Sequence, residues 1–477
     1  MTTLKNRWPI RVGYGLCSTS DIAVYDLFYI YFLFFLTDIV GINPLHAGII
    51  MAAGVIWDAI DDPFIGSFSD NTTTKKGRRL PWMKFSVIPV GIMIYLMFQT
   101  FDFAYSWMQL VYFSIVVLLL KTFYTMYVIP FFALAPEITT DYNERNILRF
   151  FSMYWGYMLL VLVSSGPMWI WAWADGRGYD DTTAWAIVGA VFGIGSIVVS
   201  GIGLFLVRNS EKDSIKRIVE ARKTEVKQAM FKVWAKCLKI KVYRKVLVWI
   251  AIYIAGYTMI NTVLVYLMTH SVGMTEMQQG TFWVLYVIIT AVALPVLTVF
   301  CNKYGRRPTM LACMIPAIFS GFVFWFTGID SVVAMYVYAI FTIISSCTFF
   351  TWYVSYAFDC IEILELKTGE RYEGAMTSLA TMAQKIGSAV AMVFTGWYLG
   401  FVGYNEEVYE YGGQTARAIS GIVDLGTLFP SLVFIVSCLL LFAYPISKKK
   451  YELLCQALEC KKAGKEYSTE GFEDILQ

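Results

Sequence analysis

The sequence predicts an all-α membrane protein of twelve transmembrane helices in two six-helix bundles. Three observations predict it. The first is composition: 58% of the 477 residues are hydrophobic and 15% are charged, with a mean hydropathy of +0.59. Soluble domains carry about 25% charged residues, and only lipid solvates so much apolar surface. The second is a series of twelve apolar stretches of bilayer length. The third is a charged segment at mid-chain that separates six of those stretches from the other six.

A transmembrane helix needs roughly 20 apolar residues. The stretches fall near 12–37, 44–68, 83–101, 107–135, 148–172, 183–207, 245–268, 280–300, 309–327, 331–358, 376–402 and 421–445. The first is too long and, with Asp21 and Asp26, too polar for a secretory signal. Basic residues set the orientation. One set of loops holds Lys75, Lys76, Arg78, Arg79, Arg145, Lys303, Arg306, Arg307, Lys367 and Arg371, whereas the other holds only Arg177 and Arg417. The basic side is expected to be cytoplasmic, together with both termini, in a cell (inner) membrane. Lys5, Arg7, Arg11 and Lys448–Lys450 agree with that orientation.

The nine cysteines lie in helices or cytoplasmic segments without metal-ligand spacing, so disulfides are not expected. His46 and His270 sit near outside helix ends and read as structural. A net charge of +3 is too small to imply nucleic acid. Phosphate loops, nucleophile elbows and zinc motifs are absent, which argues against ATP drive and against an enzyme.

Four segments follow: an N-terminal bundle (1–207), a charged cytoplasmic linker (208–244), a C-terminal bundle (245–446) and a cytoplasmic tail (447–477). Val219, Val226, Met230, Val233 and Trp234 recur at helical spacing in the linker. They suit either an amphipathic surface helix or a solvated connection. A weak repeat relates the bundles. Gly77-Arg78-Arg79 follows the second stretch and Gly305-Arg306-Arg307 the eighth, each after a helix containing proline, Pro63 or Pro295. Aligned on those prolines, Asp58, Asp61 and Asp62 face Thr290, Ala293 and Leu294, so the acids are not needed to build the helix.

These acids are the sharpest local feature, in Trp57-Asp58-Ala59-Ile60-Asp61-Asp62-Pro63. An ionised carboxylate at the bilayer centre costs roughly 2.5–3.5 kcal/mol. Asp58 and Asp62 are one turn apart and share a helix face. They suit a hard cation such as Na⁺, or a bound H⁺, and the added negative charge of Asp61 favours H⁺. The plainer alternative is that they cap or salt-bridge at the cytoplasmic end. Lys385, in the eleventh stretch, is a candidate counter-charge for Asp58 or Asp62 that an arriving cation would release.

A second polar group gathers Asp21, Asp26, Tyr25 and Tyr29 of the first stretch, Lys121, Tyr124, Val128 and Phe132 of the fourth, and Arg149 and Trp155 of the fifth. Lys121, Tyr124 and Val128 share a face. Aromatic faces and charged hydrogen-bonding groups suit a polyhydroxylated solute. The alternatives are a structural Asp26–Lys121 pair and aromatics acting only as interfacial belts.

At these residues the chain resembles the glycoside–pentoside–hexuronide:cation symporters of the major facilitator superfamily. The resemblance rests on Tyr14-Gly15, Thr37-Asp38-Ile39-Val40-Gly41, Trp57-Asp58-Ala59-Ile60 with Asp62-Pro63, and Gly77-Arg78 with Pro81-Trp82. It continues through Ile129-Pro130-Phe131 with Leu134, Arg149-Phe150-Phe151, Asp359, Glu362 and Glu365, Glu373-Gly374, and Gln384-Lys385-Ile386-Gly387-Ser388-Ala389. The resemblance implies two bundles rocking around a midplane site. It also implies a cation site at Asp58 and Asp62 with Lys385 close by, and a sugar site between helices one, four and five that includes Arg149 and Phe132.

The family's best-known member holds sugar with one acid in helix one and one in helix four, positions that fall on Ile22 and Val128 here. Asp21 is one residue away, about 100° around the helix. Asp26 lies a turn further, Lys121 is extra, and Asp61 replaces an asparagine. The expected function is therefore symport of a sugar, glycoside or related solute with H⁺ or Na⁺, by a monomer without other cofactors. Alternatives are an anionic sugar derivative (hexuronide or sulfonated sugar), an amphiphile such as an aryl glycoside or lysolipid, or a membrane sensor on the same fold.

Overall fold

The computed structural model describes residues 8–72, 74, 77–139, 142–210, 230–369, 372–406, 412–446, 448–462 and 466–476. Among them run twelve long helices: Trp8–Ile39, Pro44–Asn71, Leu80–Met97, Ser106–Ile138, Tyr142–Asp175, Asp181–Leu206, Lys241–Val272, Glu276–Tyr304, Arg306–Thr327, Val332–Thr368, Glu373–Phe401 and Ala416–Phe442. Ten are long and apolar enough to cross a membrane. The two that fall short, Pro44–Asn71 and Glu373–Phe401, carry Asp58, Asp61, Asp62 and Lys385. Their polar content lowers the hydropathy but not the reach: 28 and 29 residues span about 42 Å, more than the ~30 Å hydrocarbon layer.

Local chemistry fixes several helix ends. Pro44 occupies the first turn of the second helix, and the Asn43 side chain accepts from the Leu45 N–H at 3.1 Å. Asp180 caps the sixth helix. The Thr182 and Thr183 hydroxyls donate to its carboxylate and pull its pKa down to about 2. Three spans are not uniform α-helix. Wide turns interrupt them at Leu27–Tyr31 and Phe35–Ile39 in the first, Leu267–Val272 in the seventh and Asp424–Leu428 in the twelfth.

Of the linker, Met230–Cys237 is helical and Val233 is buried. Val219 and Val226 lie outside the described residues, as do Lys75, Lys76 and Arg371. A further helix, Lys448–Lys462, forms in the tail.

The chain divides into two compact units. The first comprises Met1–Glu225, Asn261–Val287 and Met392–Ile422. The second comprises Val226–Ile260, Ile288–Ala391 and Val423–Gln477. Glycines bring helices to backbone contact within each. In the first unit a Cβ on Gly48 would stand 2.6 Å from the Met392 carbonyl oxygen, and one on Gly396 would stand 2.3 Å from that of Pro44. In the second, a Cβ on Gly387 would stand 2.2 Å from the Ala251 carbonyl oxygen.

The Gly-Arg-Arg repeat recurs as structure. Arg78 and Arg79 reach Glu137 at the end of the fourth helix, at 2.6 and 2.7 Å. Arg306 reaches Asp359 in the tenth helix at 2.8 Å, where Tyr444 also donates at 3.1 Å. Each unit thus pins its arginine loop to an acid on the helix two spans later.

Candidate cation and solute site

The carboxylates predicted from the sequence converge. Asp58, Asp61 and Asp62 each offer an oxygen within 4.8 Å of the others. Positions 58, 61 and 62 repeat at three- and four-residue spacing on the second helix and so lie on one face. Asp58 and Asp61 are 3% and 7% exposed, and Asp62 is half-buried. Burial at this level removes the water that would otherwise stabilise the charges, so the cluster needs a bound cation, a shared proton or a fixed positive group.

Thr125, of the fourth helix, completes the cluster and is missing from the residues the sequence predicts. Its hydroxyl donates to Asp58 Oδ1 at 2.7 Å, with Asp62 Oδ1 at 3.4 Å. Its only signal in the sequence is that it follows Tyr124 and stands one turn after Lys121. Three carboxylates and a hydroxyl form an all-oxygen donor set, which fits a small hard cation or a proton held between carboxylates.

We expect Thr125→Val to shift the half-saturating cation concentration about tenfold, because a hydrogen bond to a charged group contributes ~1.5–3 kcal/mol. The sign separates the ions. Losing an oxygen ligand raises the concentration needed for Na⁺. Losing a donor to the carboxylate lowers the concentration needed for H⁺. Thermal stabilisation titrated with Na⁺ at fixed pH, and with pH at fixed Na⁺, reads both.

The neighbouring residue points at the other group. The Tyr124 hydroxyl donates to Asp21 Oδ1 at 2.7 Å. Two consecutive residues of the fourth helix therefore hold one acid of the first helix and one of the second. The Lys121 ammonium lies 4.1 Å over the Phe28 ring, with Tyr29 and Tyr124 at 5.3 and 5.4 Å. Lys121 is 2% exposed, so it is a buried cation roofed by aromatic faces. Its stem passes Gly54 of the second helix, where an added Cβ would stand 3.6 Å from Lys121 Cγ. Gly54 is one turn before Asp58. Asp26 is buried, and its Oδ2 has no hydrogen-bond partner among the described residues.

The remaining predicted residues of the first unit lie on its first, fourth and fifth helices. The Ile22 side chain abuts Gly156 of the fifth helix, where a Cβ would stand 2.9 Å from Ile22 Cδ1. Trp155 donates to Thr19 at 2.9 Å, closing the same helix pair. Val128 is buried beside Tyr127, whose hydroxyl donates to the Cys17 carbonyl at 2.8 Å. Phe132 and Arg149 are exposed, further along the fourth and fifth helices. Tyr25 packs against Tyr29 with ring centroids 4.5 Å apart and the planes tilted by 34°. Lys385 belongs to the second unit, half-buried two residues before the Gly387–Ala251 approach.

Twelve long helices with a buried carboxylate cluster beside a polar, aromatic-lined centre define a multi-pass membrane carrier. Residues 13–448 match the family described as MFS/sugar transport protein. The isoprimeverose transporter of Lactiplantibacillus pentosus is 24% identical over 96% of this chain and 92% of its own length. The inner membrane symporter YicJ of Escherichia coli is 25% identical over 94% of this chain and 93% of its own. Among solved structures, the xylose transporter XylE of E. coli in its inward open conformation aligns with a TM-score of 0.61 at 13% identity, covering 96% of this chain and 98% of that one. The chain belongs to the MFS/sugar transport family, within the glycoside–pentoside–hexuronide symporters.

Proposed function

We propose that the protein is a secondary active symporter that couples uptake of a sugar or glycoside to H⁺ or Na⁺ by alternating access. The observation that carries this reading is the adjacency of Tyr124 and Thr125, which hold Asp21 and Asp58 respectively. A cation or proton arriving at Asp58, Asp61 and Asp62 changes what Thr125 must satisfy. Any shift of that helical turn moves Tyr124 at the solute centre. Coupling then needs no intermediary beyond one peptide unit. Lys385 is the proposed mobile counter-charge for Asp58 or Asp62, set free when the cation binds. Phe132 and Arg149 extend the solute contact surface. The coupling ion is the only cofactor in this scheme, and the chain acts as a monomer in the cell membrane with both termini in the cytoplasm.

The name of the isoprimeverose transporter supports a glycoside. Burial of Lys121 beneath three rings favours a neutral solute over an anionic one, since a carboxylate or sulfonate would have to displace those rings to reach the ammonium. A thermal-shift panel on the purified protein tests the class. Neutral glycosides are expected to raise the melting temperature, and more so when the coupling cation is present. Stabilisation by hexuronides alone, lost in Lys121→Gln, would replace the neutral solute with an anionic one. Stabilisation only by aryl glycosides or lysolipids would replace it with an amphiphile.

A further inference from the structure

A second buried polar network lies in the first unit, away from the carboxylate cluster. Asp38 sits on the wide turn that ends the first helix, and His270 on the wide turn that ends the seventh. Asp38 Oδ1 is 3.1 Å from His270 Nε2. The Tyr404 hydroxyl donates to the same carboxylate oxygen and stands 2.8 Å from His270 Nε2. Thr37 donates to Asp38 Oδ2 at 2.5 Å and is itself 2.6 Å from the Tyr266 hydroxyl. Relative exposures are 7% for Asp38, 1% for His270 and 4% for Tyr404, with Thr37 and Tyr266 at zero.

This network ties together three stretches of chain that are far apart in sequence. The same three stretches meet elsewhere in the unit through glycine. The second helix crosses the eleventh at Gly48 and Gly396, and Gly280 packs on Trp169, where a Cβ would stand 2.4 Å from the indole nitrogen. The network is a buried seam fastened by a carboxylate, an imidazole and a phenol.

We infer that Asp38, His270 and Tyr404 are positioning residues for transport: they fasten one end of the path shut while the opposite end loads or releases solute. This rests on the symport reading, in which that end faces outside. The wide turns carry the fasteners because a turn with one extra residue can tighten back to α-helix and so swing its side chain away. Opening the seam separates Asp38 from His270. The partners then find water instead of each other, so the latch is strong when closed and easily solvated when open.

Hydrogen–deuterium exchange on the full-length protein, without solute, tests the inference in Asp38→Asn, His270→Gln and Tyr404→Phe. We expect exchange to rise about 100-fold at 35–42 and 267–274, the scale of leaving a buried hydrogen-bonding group without its partner, while helix 309–321 stays as protected as before. The Asp38→Asn/His270→Gln double variant should exchange no faster than the faster single, since both break one link. A rise spread evenly over all helices, with a fall in melting temperature, would make the network merely structural and overturn the proposal. So would unchanged exchange at both turns. If Asp38→Asn does not fold, Tyr404→Phe removes a single oxygen and tests the same link. The readout needs neither sugar nor coupling cation, so a failed latch leaves symport standing and a failed symport assay leaves the latch tested.

Discussion

Asp58→Asn and Asp62→Asn are each expected to abolish gradient-driven accumulation while leaving equilibration of solute across the membrane. The reason is electrostatic. The cluster brings three carboxylates within 4.8 Å of one another, two of them buried, and its negative charge is what holds the coupling cation. One cation moving through a potential of 100 mV carries ~2.3 kcal/mol, enough to concentrate a neutral solute about 50-fold at ~1.36 kcal/mol per decade. Asparagine keeps the shape and can still accept from Thr125, but it cannot hold a proton or neutralise Na⁺. The accumulation ratio should therefore fall from tens to about one, with solute binding retained. Asp61→Asn tests a subtler point. If Asp61 only adds charge, this variant keeps coupling and changes the cation dependence. If Asp61 is a ligand, the variant loses coupling as the other two do.

Gly396→Val is expected to slow turnover sharply without unfolding the protein. The Cβ would lie 2.3 Å from the Pro44 carbonyl oxygen, a backbone atom that cannot rotate away. Gly48 stands opposite, its own Cβ position 2.6 Å from the Met392 carbonyl oxygen. Overpacking of this kind costs about 1–3 kcal/mol, which shifts a two-state equilibrium about 5- to 150-fold. The crossing lies in the same unit as the Asp38–His270–Tyr404 seam, so the shift should disfavour the closed form of that end. Uptake should fall about 5- to 150-fold at that energy, with exchange protection lost at 35–42 as in the latch variants. Gly396→Ala, with one methyl group, should give an intermediate rate. A melting temperature far below that of the parent would instead mean that the crossing serves only to hold the fold.

The fold was legible because lipid imposes a simple rule: long apolar stretches, polar loops and a basic inner face. The departures are informative. Pro44–Asn71 and Glu373–Phe401 fall short of membrane apolarity because they carry charge, and charge is what makes them candidates for function. The carboxylate cluster was legible because its three members lie on one helix, where register alone brings them together. Thr125 was not, because a threonine in an apolar span has no mark that says which helix it faces. Asp21 stands one residue from the family position and pairs with Tyr124, a contact no spacing rule gives. Lys121 was legible as costly but not as caged by Phe28, Tyr29 and Tyr124. His270 reads as a helix-end residue because its partner Asp38 is 232 positions away. The wide turns that carry both are invisible to a 3.6-residue period.

The most direct test is accumulation by the wild-type protein reconstituted in liposomes, using the glycoside that stabilises it best. Solute uptake is followed with an imposed inward Na⁺ gradient, with an inward H⁺ gradient, and with neither. The account predicts accumulation above the outside concentration with one of the two gradients and simple equilibration without them. Equal final levels under all three conditions would contradict it, and would make the protein a facilitator whose buried carboxylates serve some other end.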